Sequence, residues 1–530
     1  MTHSGAGRAA AILILAAALQ SCGDSAGAPS FKAKNFMLVA PEANAAGAAL
    51  QPEFQWTESS NAQSYHLQVA TSDTFAAPVI DAAGLTVLTY TPTAALNPAT
   101  TYWWRVIANV GATQTLAAGS PASFTTVVPL QLRRVAFQSD ATNLVAGDTN
   151  GRTDMFVRDI VDGTTTRVSV SSTGGQVLFG DAAQGSMTPD GKFLAFQCQG
   201  NELIPGSTGF PVYVRDLDAG TLERCPEIPG KGSGGSPTIS ADGRLVAFAA
   251  FTIGGVSDIY VWDRQTKTTV NISVTPAGSA STSSFCRNPA ISGNGRFVAF
   301  QSGKDDLVAG DTNGFSDIFV RDLQNGVTER VSISSSGAQA NQGATVPAIS
   351  ADGRFVAFAS NSSNLVPGDT NGTVDVFVRD RLAGTTEMVS VSSAGELGHP
   401  SMSVESQPPS ISADGRYVAF EHASDNLVAG DTNGSFDLFV RDRQLGTTRR
   451  VSVSSDGAEG NGHSFAASIF PGGGFVAFLS EASNLVEGDT NGVGDIFLHN
   501  LTTGETTRLS VATDGTEADD WSRVPVASSP

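Results

Sequence analysis

From Leu130 to the end of the chain, apolar residues come in short runs separated by glycine-bearing turns. One tripeptide recurs, as Val135-Ala136-Phe137, Leu194-Ala195-Phe196, Val246-Ala247-Phe248, Val298-Ala299-Phe300, Val356-Ala357-Phe358, Val418-Ala419-Phe420 and Val476-Ala477-Phe478. Such runs are apolar on both faces, as in Phe355 to Phe358, which predicts strands covered on each side. Each copy after the first follows a turn of the type Ala351-Asp352-Gly353, then come a D-I-F-V-R-D strand and a T-T-R-R-V-S-V-S-S strand. Four short strands repeated at about 50 to 60 residues predict a β-propeller. Seven tripeptides predict seven blades. The first blade has no inner strand of its own, whereas Arg523-Val524-Pro525-Val526-Ala527-Ser528 parallels the inner-strand sequence Thr345-Val346-Pro347-Ala348-Ile349-Ser350. The C-terminal segment is therefore expected to close the ring and cover its open edges.

Ahead of the repeats the pattern changes. Residues 35–127 alternate apolar and polar positions with period two: Phe54 and Trp56, then Tyr65, Leu67 and Val69, then Tyr102, Trp104 and Val106. This predicts strands B, C and F of a β-sandwich. The stretches QWTESSNAQSYHLQVATSDTF and LNPATTYWWRVIA resemble a fibronectin type III domain of the bacterial kind. The resemblance implies a spacer, or a module that binds sugar or a partner through its loops. The fold class expected for the chain is all-β, a seven-bladed β-propeller at 130–530 preceded by a fibronectin type III-like β-sandwich.

The first residues have another character. Arg8 precedes an apolar stretch, Ala9 to Leu19, too short to span a bilayer, and Leu19-Gln20-Ser21-Cys22 resembles the lipobox of bacterial lipoproteins. The resemblance implies a signal peptide at 1–21, a lipidated Cys22 and a tether at 22–34, so the chain is anchored without spanning. Gly23 rather than Asp after Cys22 implies the outer membrane of the cell envelope. A formal net charge of −20 repels phosphate backbones, which argues against nucleic acid and favours divalent cations.

The pentapeptide GDTNG starts at Gly147, Gly310, Gly368, Gly430 and Gly488, between the second and third strands of five blades. Each copy sets oxygen-bearing side chains at relative positions one, three and seven: Asp148, Asn150, Asp154; Asp311, Asn313, Asp317; Asp369, Asn371, Asp375; Asp431, Asn433, Asp437; Asp489, Asn491, Asp495. Hard oxygen ligands around a turning glycine suit calcium. The loops resemble a shortened form of those in integrin-type propellers. A metal-free turn is the alternative, with Asn-Gly forming the turn and the aspartates satisfying backbone amides. Blades two and three lack the loop, and the three cysteines beyond Cys22 lie around that gap. Cys198 and Cys225 could bridge, although a strand intervenes, or Cys198, Cys225 and Cys286 could stand as buried thiols.

The S-x-D-G turn, the D-I-Y-V-x-D strand and the outer threonine-rich strand together resemble the TolB-type propeller repeat over about 400 residues. That family is functionally broad, so the resemblance implies fold rather than activity. No H-E-x-x-H or phosphate-binding glycine loop occurs, and the one G-x-S-x-G match, Gly23 to Gly27, lies in the tether and not at a strand-to-helix elbow. The expected function is a lipid-anchored, monomeric envelope scaffold that binds a protein or glycan, more a binding protein than an enzyme. The alternatives are a glycan-active propeller lyase or glycosidase, and a calcium-stiffened structural surface protein.

Overall fold

The computed structural model describes residues 36–41, 45–48, 52–92, 96, 101–111, 113–126, 133–199, 203–206, 210–232, 234–252, 255–280, 284–399 and 408–527. The signal peptide, Cys22 and the tether lie outside the described residues. The chain divides into two compact units, Met1–Pro129 and Leu130–Pro530.

In the first unit, a sheet of Leu38–Ala40, Phe54–Trp56 and Thr89–Tyr90 shares one core with a larger sheet. The larger sheet is centred on Ser64–Ala70 and Thr101–Val110. Burial alternates along Thr101–Val110, with Tyr102, Trp104 and Val106 inward, as a half-covered strand requires. Phe54 meets Trp104 edge to face at 5.2 Å within this core.

The second unit is a β-propeller, with seven four-stranded antiparallel sheets among the described residues, here numbered first to seventh in chain order. The fifth is representative, running Ala344–Ile349, Phe355–Ser360, Asp375–Asp380, Thr385–Met388 from the axis outward. The first strands of neighbouring sheets touch one another, which marks them as innermost. Val356, Ala357 and Phe358 are fully buried because each sheet is sandwiched between two others. Across the two middle strands Phe358 pairs with Phe377, and the rings stack at 5.9 Å. The same stack recurs in every sheet, with Tyr213 and Tyr260 replacing the second Phe in the second and third.

The first sheet is completed from far along the chain. Ser522–Val526 pairs antiparallel with Arg134–Ser139, setting Ser139 opposite Ser522 and Ala136 opposite Val526. Ser522–Val526 also contacts the innermost strands of the second and seventh sheets, so the ring of innermost strands is continuous there.

Opposite ends of the sheets carry different connections. At one end, the turn Ser350-Ala351-Asp352-Gly353 is held by Asp352 Oδ1, which accepts from Ser350 Oγ at 2.6 Å and from the Arg354 amide at 2.9 Å. Gly353 has φ +78°, and a Cβ there would lie 2.2 Å from the Phe297 ring, so only glycine fits. The GDTNG loops lie at the other end, between second and third strands.

Candidate functional site: the loop rim

Within each GDTNG loop, local hydrogen bonds fix the asparagine. In the fourth sheet Asn313 Oδ1 accepts the Phe315 amide at 3.0 Å, while Nδ2 donates to Asp317 Oδ2 at 2.9 Å and to the Ala340 carbonyl at 3.2 Å. The same arrangement holds around Asn150, Asn433 and Asn491. The asparagine oxygen therefore accepts from the turn and ties the loop to the connection leading into the next sheet.

The two aspartates of each loop converge, and in four sheets an arginine from the outermost strand sits between them. Arg330 Nη1 lies 2.7 Å from Asp311 and 3.4 Å from Asp317. Arg167 bridges Asp148 and Asp154 at 2.7 and 3.2 Å. Arg450 bridges Asp431 and Asp437 at 3.2 and 3.3 Å, and Arg508 bridges Asp489 and Asp495 at 3.2 and 3.4 Å. In the sixth and seventh sheets Glu459 and Glu517 join the same guanidinium at 3.0 and 2.9 Å. All these side chains except the glutamates are at least nine-tenths buried.

A serine completes the constellation. Ser332 Oγ donates to Asp317 Oδ1 at 2.5 Å and accepts the Ile318 amide at 3.0 Å. In the third sheet, which lacks the loop, Asp258 holds the corresponding place, with Ser273 donating to it at 3.1 Å. There Lys304 and Lys231 supply the cation, at 2.5 and 2.7 Å. Burial alone would raise the Asp258 pKa; the two ammonium groups override it and hold the carboxyl below its usual range. In the second sheet Pro211 directly precedes the third strand, Val212–Asp216.

The fifth sheet keeps Asp369, Asn371, Asp375 and Ser390, but the residue paired with Phe377 is Met388, where Arg330 pairs with Phe319. Burial, with Asp369 adding to it, pushes Asp375 up to about 6 although Ser390 donates to it at 2.7 Å. Burial and a neighbouring carboxylate likewise push Asp431 and Asp489 up to about 6, despite their arginines. Among the described residues no three His, Cys, Asp or Glu side chains gather as a metal site. The fifteen residues with calcium-loop spacing thus fall in five similar loops, four of which hold a guanidinium between their carboxylates. Sequence reasoning missed these arginines, whose signal is the recurring Arg at the end of the fourth strand.

The rim is different at the second and third sheets. Elsewhere the backbone amides of Asn341 and Asn461, in the connections between sheets, donate to Oδ1 of Asn364 and Asn484 in the next loop, at 3.0 and 2.9 Å. The connection into the second sheet carries Leu178 and Phe179 instead, 55% and 70% exposed, and Phe210 in that sheet's own loop is 43% exposed. Beside Phe210 opens a cleft of about 440 Å³, lined by Pro211, Val212, Cys225, Ile228 and Phe248 with Arg224 and Lys231.

The bridge weighed for Cys198 and Cys225 is not formed. Cys198 faces the core between the first and second sheets, Cys225 the core between the second and third, so the two lie on opposite faces of one sheet. With Cys286 they stand as buried thiols, and burial pushes the Cys225 thiol up to about 12. His399, exposed, meets Asp425 at 2.7 Å, and His463 accepts the Phe436 amide through Nδ1 at 3.0 Å, so both belong to the rim loops.

No family model and no curated protein matches this chain. Among solved structures it is similar to TolB from Acinetobacter baumannii, at 16% identity over 66% of this chain and 76% of that one, with a TM-score of 0.35. It is also similar to an oligogalacturonate lyase in complex with manganese, at 12% identity over 71% of this chain and 85% of that one, TM-score 0.40. A third is the β-propeller domain of the Trilobed protease from Pyrococcus furiosus, at 11% identity over 79% of this chain and 95% of that one, TM-score 0.41.

Proposed function

We propose that this chain is a lipid-anchored envelope protein whose propeller serves as a binding scaffold for a protein or glycan, docking at the rim of the second and third sheets. One observation carries the reading. Four loops on the rim have their carboxylates closed by internal ion pairs, and the sector that lacks GDTNG loops instead exposes Leu178, Phe179 and Phe210, the last next in sequence to Pro211 of the cleft. Phe315 of the fourth loop is also 41% exposed, but only here do three large apolar side chains stand in water in one sector of the rim, the usual mark of a docking face. Aromatic rings beside a cleft suit either a partner's apolar side chain or the face of a sugar ring. Anchoring rests on the lipobox resemblance ending at Cys22.

The test immobilises the mature chain and compares what it retains from envelope extracts and from a glycan array with what Phe179→Asp/Phe210→Asp retains. A species held by the wild type and lost by the variant is expected; identical retention by both removes this face from consideration. Cys22→Ala tests the anchor separately, moving the protein from the membrane fraction to the soluble one.

A further inference from the structure

In six of the seven sheets a buried aspartate is the first or second residue of the third strand, and in five of those six a basic side chain neutralises it: Arg167, Lys304 with Lys231, Arg330, Arg450 and Arg508. The exception is Asp375. Its side chain is fully buried, its Oδ1 accepts from Ser390, and its Oδ2 has no well-formed hydrogen bond among the described residues. In the sister loops the equivalent oxygen receives both the asparagine amide and the guanidinium. Here the Asn371 amide lies near enough to favour the charged form of Asp375, but its well-formed Nδ2 hydrogen bond is to the Gly398 carbonyl, at 3.3 Å, and Met388 has replaced the arginine. Asp369, 9% exposed, faces the same place and also forms no ion pair with a described residue. The segment 400–407, outside the described residues, contains no lysine or arginine.

An orphaned carboxylate oxygen at a fully buried position is expensive, and Met388 offers nothing to offset it. The surroundings supply further oxygens. In the sixth and seventh sheets the carbonyls of Gly430 and Gly488 accept from the bridging arginine at 3.3 Å, and Gly368 is their counterpart. Residues 367, 368, 370 and 372 are exposed, so the pair of carboxylates lies directly beneath the solvent-facing rim.

We propose that the fifth loop binds one hard divalent cation of the calcium class through Asp369, Asp375 Oδ2 and the Gly368 carbonyl, in the place a guanidinium fills in its sisters. Two carboxylates with a carbonyl and water are an oxygen-only set that calcium accepts, and the weak range of extracellular modules, on the order of 0.1 to 1 mM, is expected. The other loops take none, because each carries its own cation. The site is independent of the docking face proposed above.

Equilibrium dialysis of the mature chain against radioactive calcium tests this, beside Asp375→Asn and Met388→Arg. Asp375→Asn keeps the side-chain shape, and Met388→Arg installs the sister loops' own cation. Both variants are first checked for wild-type circular dichroism, and either alone suffices if the other fails to fold. The expected result is one calcium per chain fewer in each folded variant, with Asp311→Asn, in an arginine-filled loop, unchanged. Calcium should also raise the melting temperature of the wild type over that in chelator and leave Met388→Arg unmoved. No calcium bound at a free concentration of about 10 mM, tenfold above the weak end of that range, overturns the proposal, as does full retention in either variant.

Discussion

Arg330 reaches Asp317 from 13 residues further along the chain, at 3.4 Å, with neither side chain more than 9% exposed. The same guanidinium touches Asp311 at 2.7 Å, so one side chain from the outermost strand pins both ends of a loop. A buried cation shared by two carboxylates is costly to lose from one side, since the remaining charges stay in the low-dielectric interior. Arg330→Met, which copies the fifth sheet into the fourth, is expected to destabilise the propeller by about 3 to 5 kcal/mol. Urea unfolding followed by circular dichroism measures this; an unchanged midpoint would show that the ion pair contributes nothing net.

Acid titration offers a second check. Burial holds His422 and His499 down to about 4, and the Nδ1 of His422 accepts the Ser424 amide at 3.0 Å, which requires the neutral ring. Between the ordinary value of 6.5 and about 4 the unfolded chain takes up protons that the fold refuses. The histidine contribution to stability is therefore intact above pH 6.5 and lost as pH falls towards 4. Asp431 and Asp489, raised to about 6, act in the opposite sense, since the fold takes up their protons first as pH falls from 6 to 3.8. His422→Gln isolates the first effect. Unfolding midpoints measured from pH 7.5 to 4.5 should show the wild type losing stability relative to this variant as pH falls.

Thiol chemistry reports on the second and third sheets. Cys198, Cys225 and Cys286 are buried, and burial raises the thiols of Cys225 and Cys286 away from the thiolate range. At pH 8 a folded, unreduced sample should resist alkylation at all three, and denaturation without reductant should make all three react. Mass spectrometry that finds Cys198 and Cys225 protected only until reductant is added would show a bridge.

Removal of the closing strand is the third perturbation. Truncation after Asp520 takes away Ser522–Val526 and leaves the backbone of Arg134–Ser139 as an uncovered edge. Calorimetry should show a lower melting temperature than the full chain has, whereas removing ten residues of the tether should leave it in place.

Much of the propeller was legible in the sequence because its buried strands are apolar on both faces and repeat. Val356-Ala357-Phe358 announces a middle strand by residue type alone, and Asn-Gly in GDTNG announces a turn. What filled the loops was not legible. The Arg ending VTER and the Met ending TTEM look like the same surface position, and only the pairing of Phe319 with Arg330 and Phe377 with Met388 sets both beneath a loop. The cysteines failed for a related reason. Spacing places Cys198 and Cys225 on strands of one sheet, but the face each takes depends on pleat and register, and these put them in separate cores.

The pairing of Ser522–Val526 with Arg134–Ser139 also sets an order of events during synthesis. Ser139 and Ser522, 383 positions apart in the chain, meet hydroxyl to hydroxyl at 3.0 Å. The inner sheets can assemble as they emerge, since their strands are neighbours in sequence. The first sheet must wait, holding an unpaired edge until the last strand arrives, and contacts of such range are slow to form. Meanwhile look-alike strands such as Ala344–Ile349 belong to the same chain and could pair wrongly with that edge. A sealed ring therefore requires synthesis to have passed Val526, and a chain interrupted before that point is left with Arg134–Ser139 as an open edge.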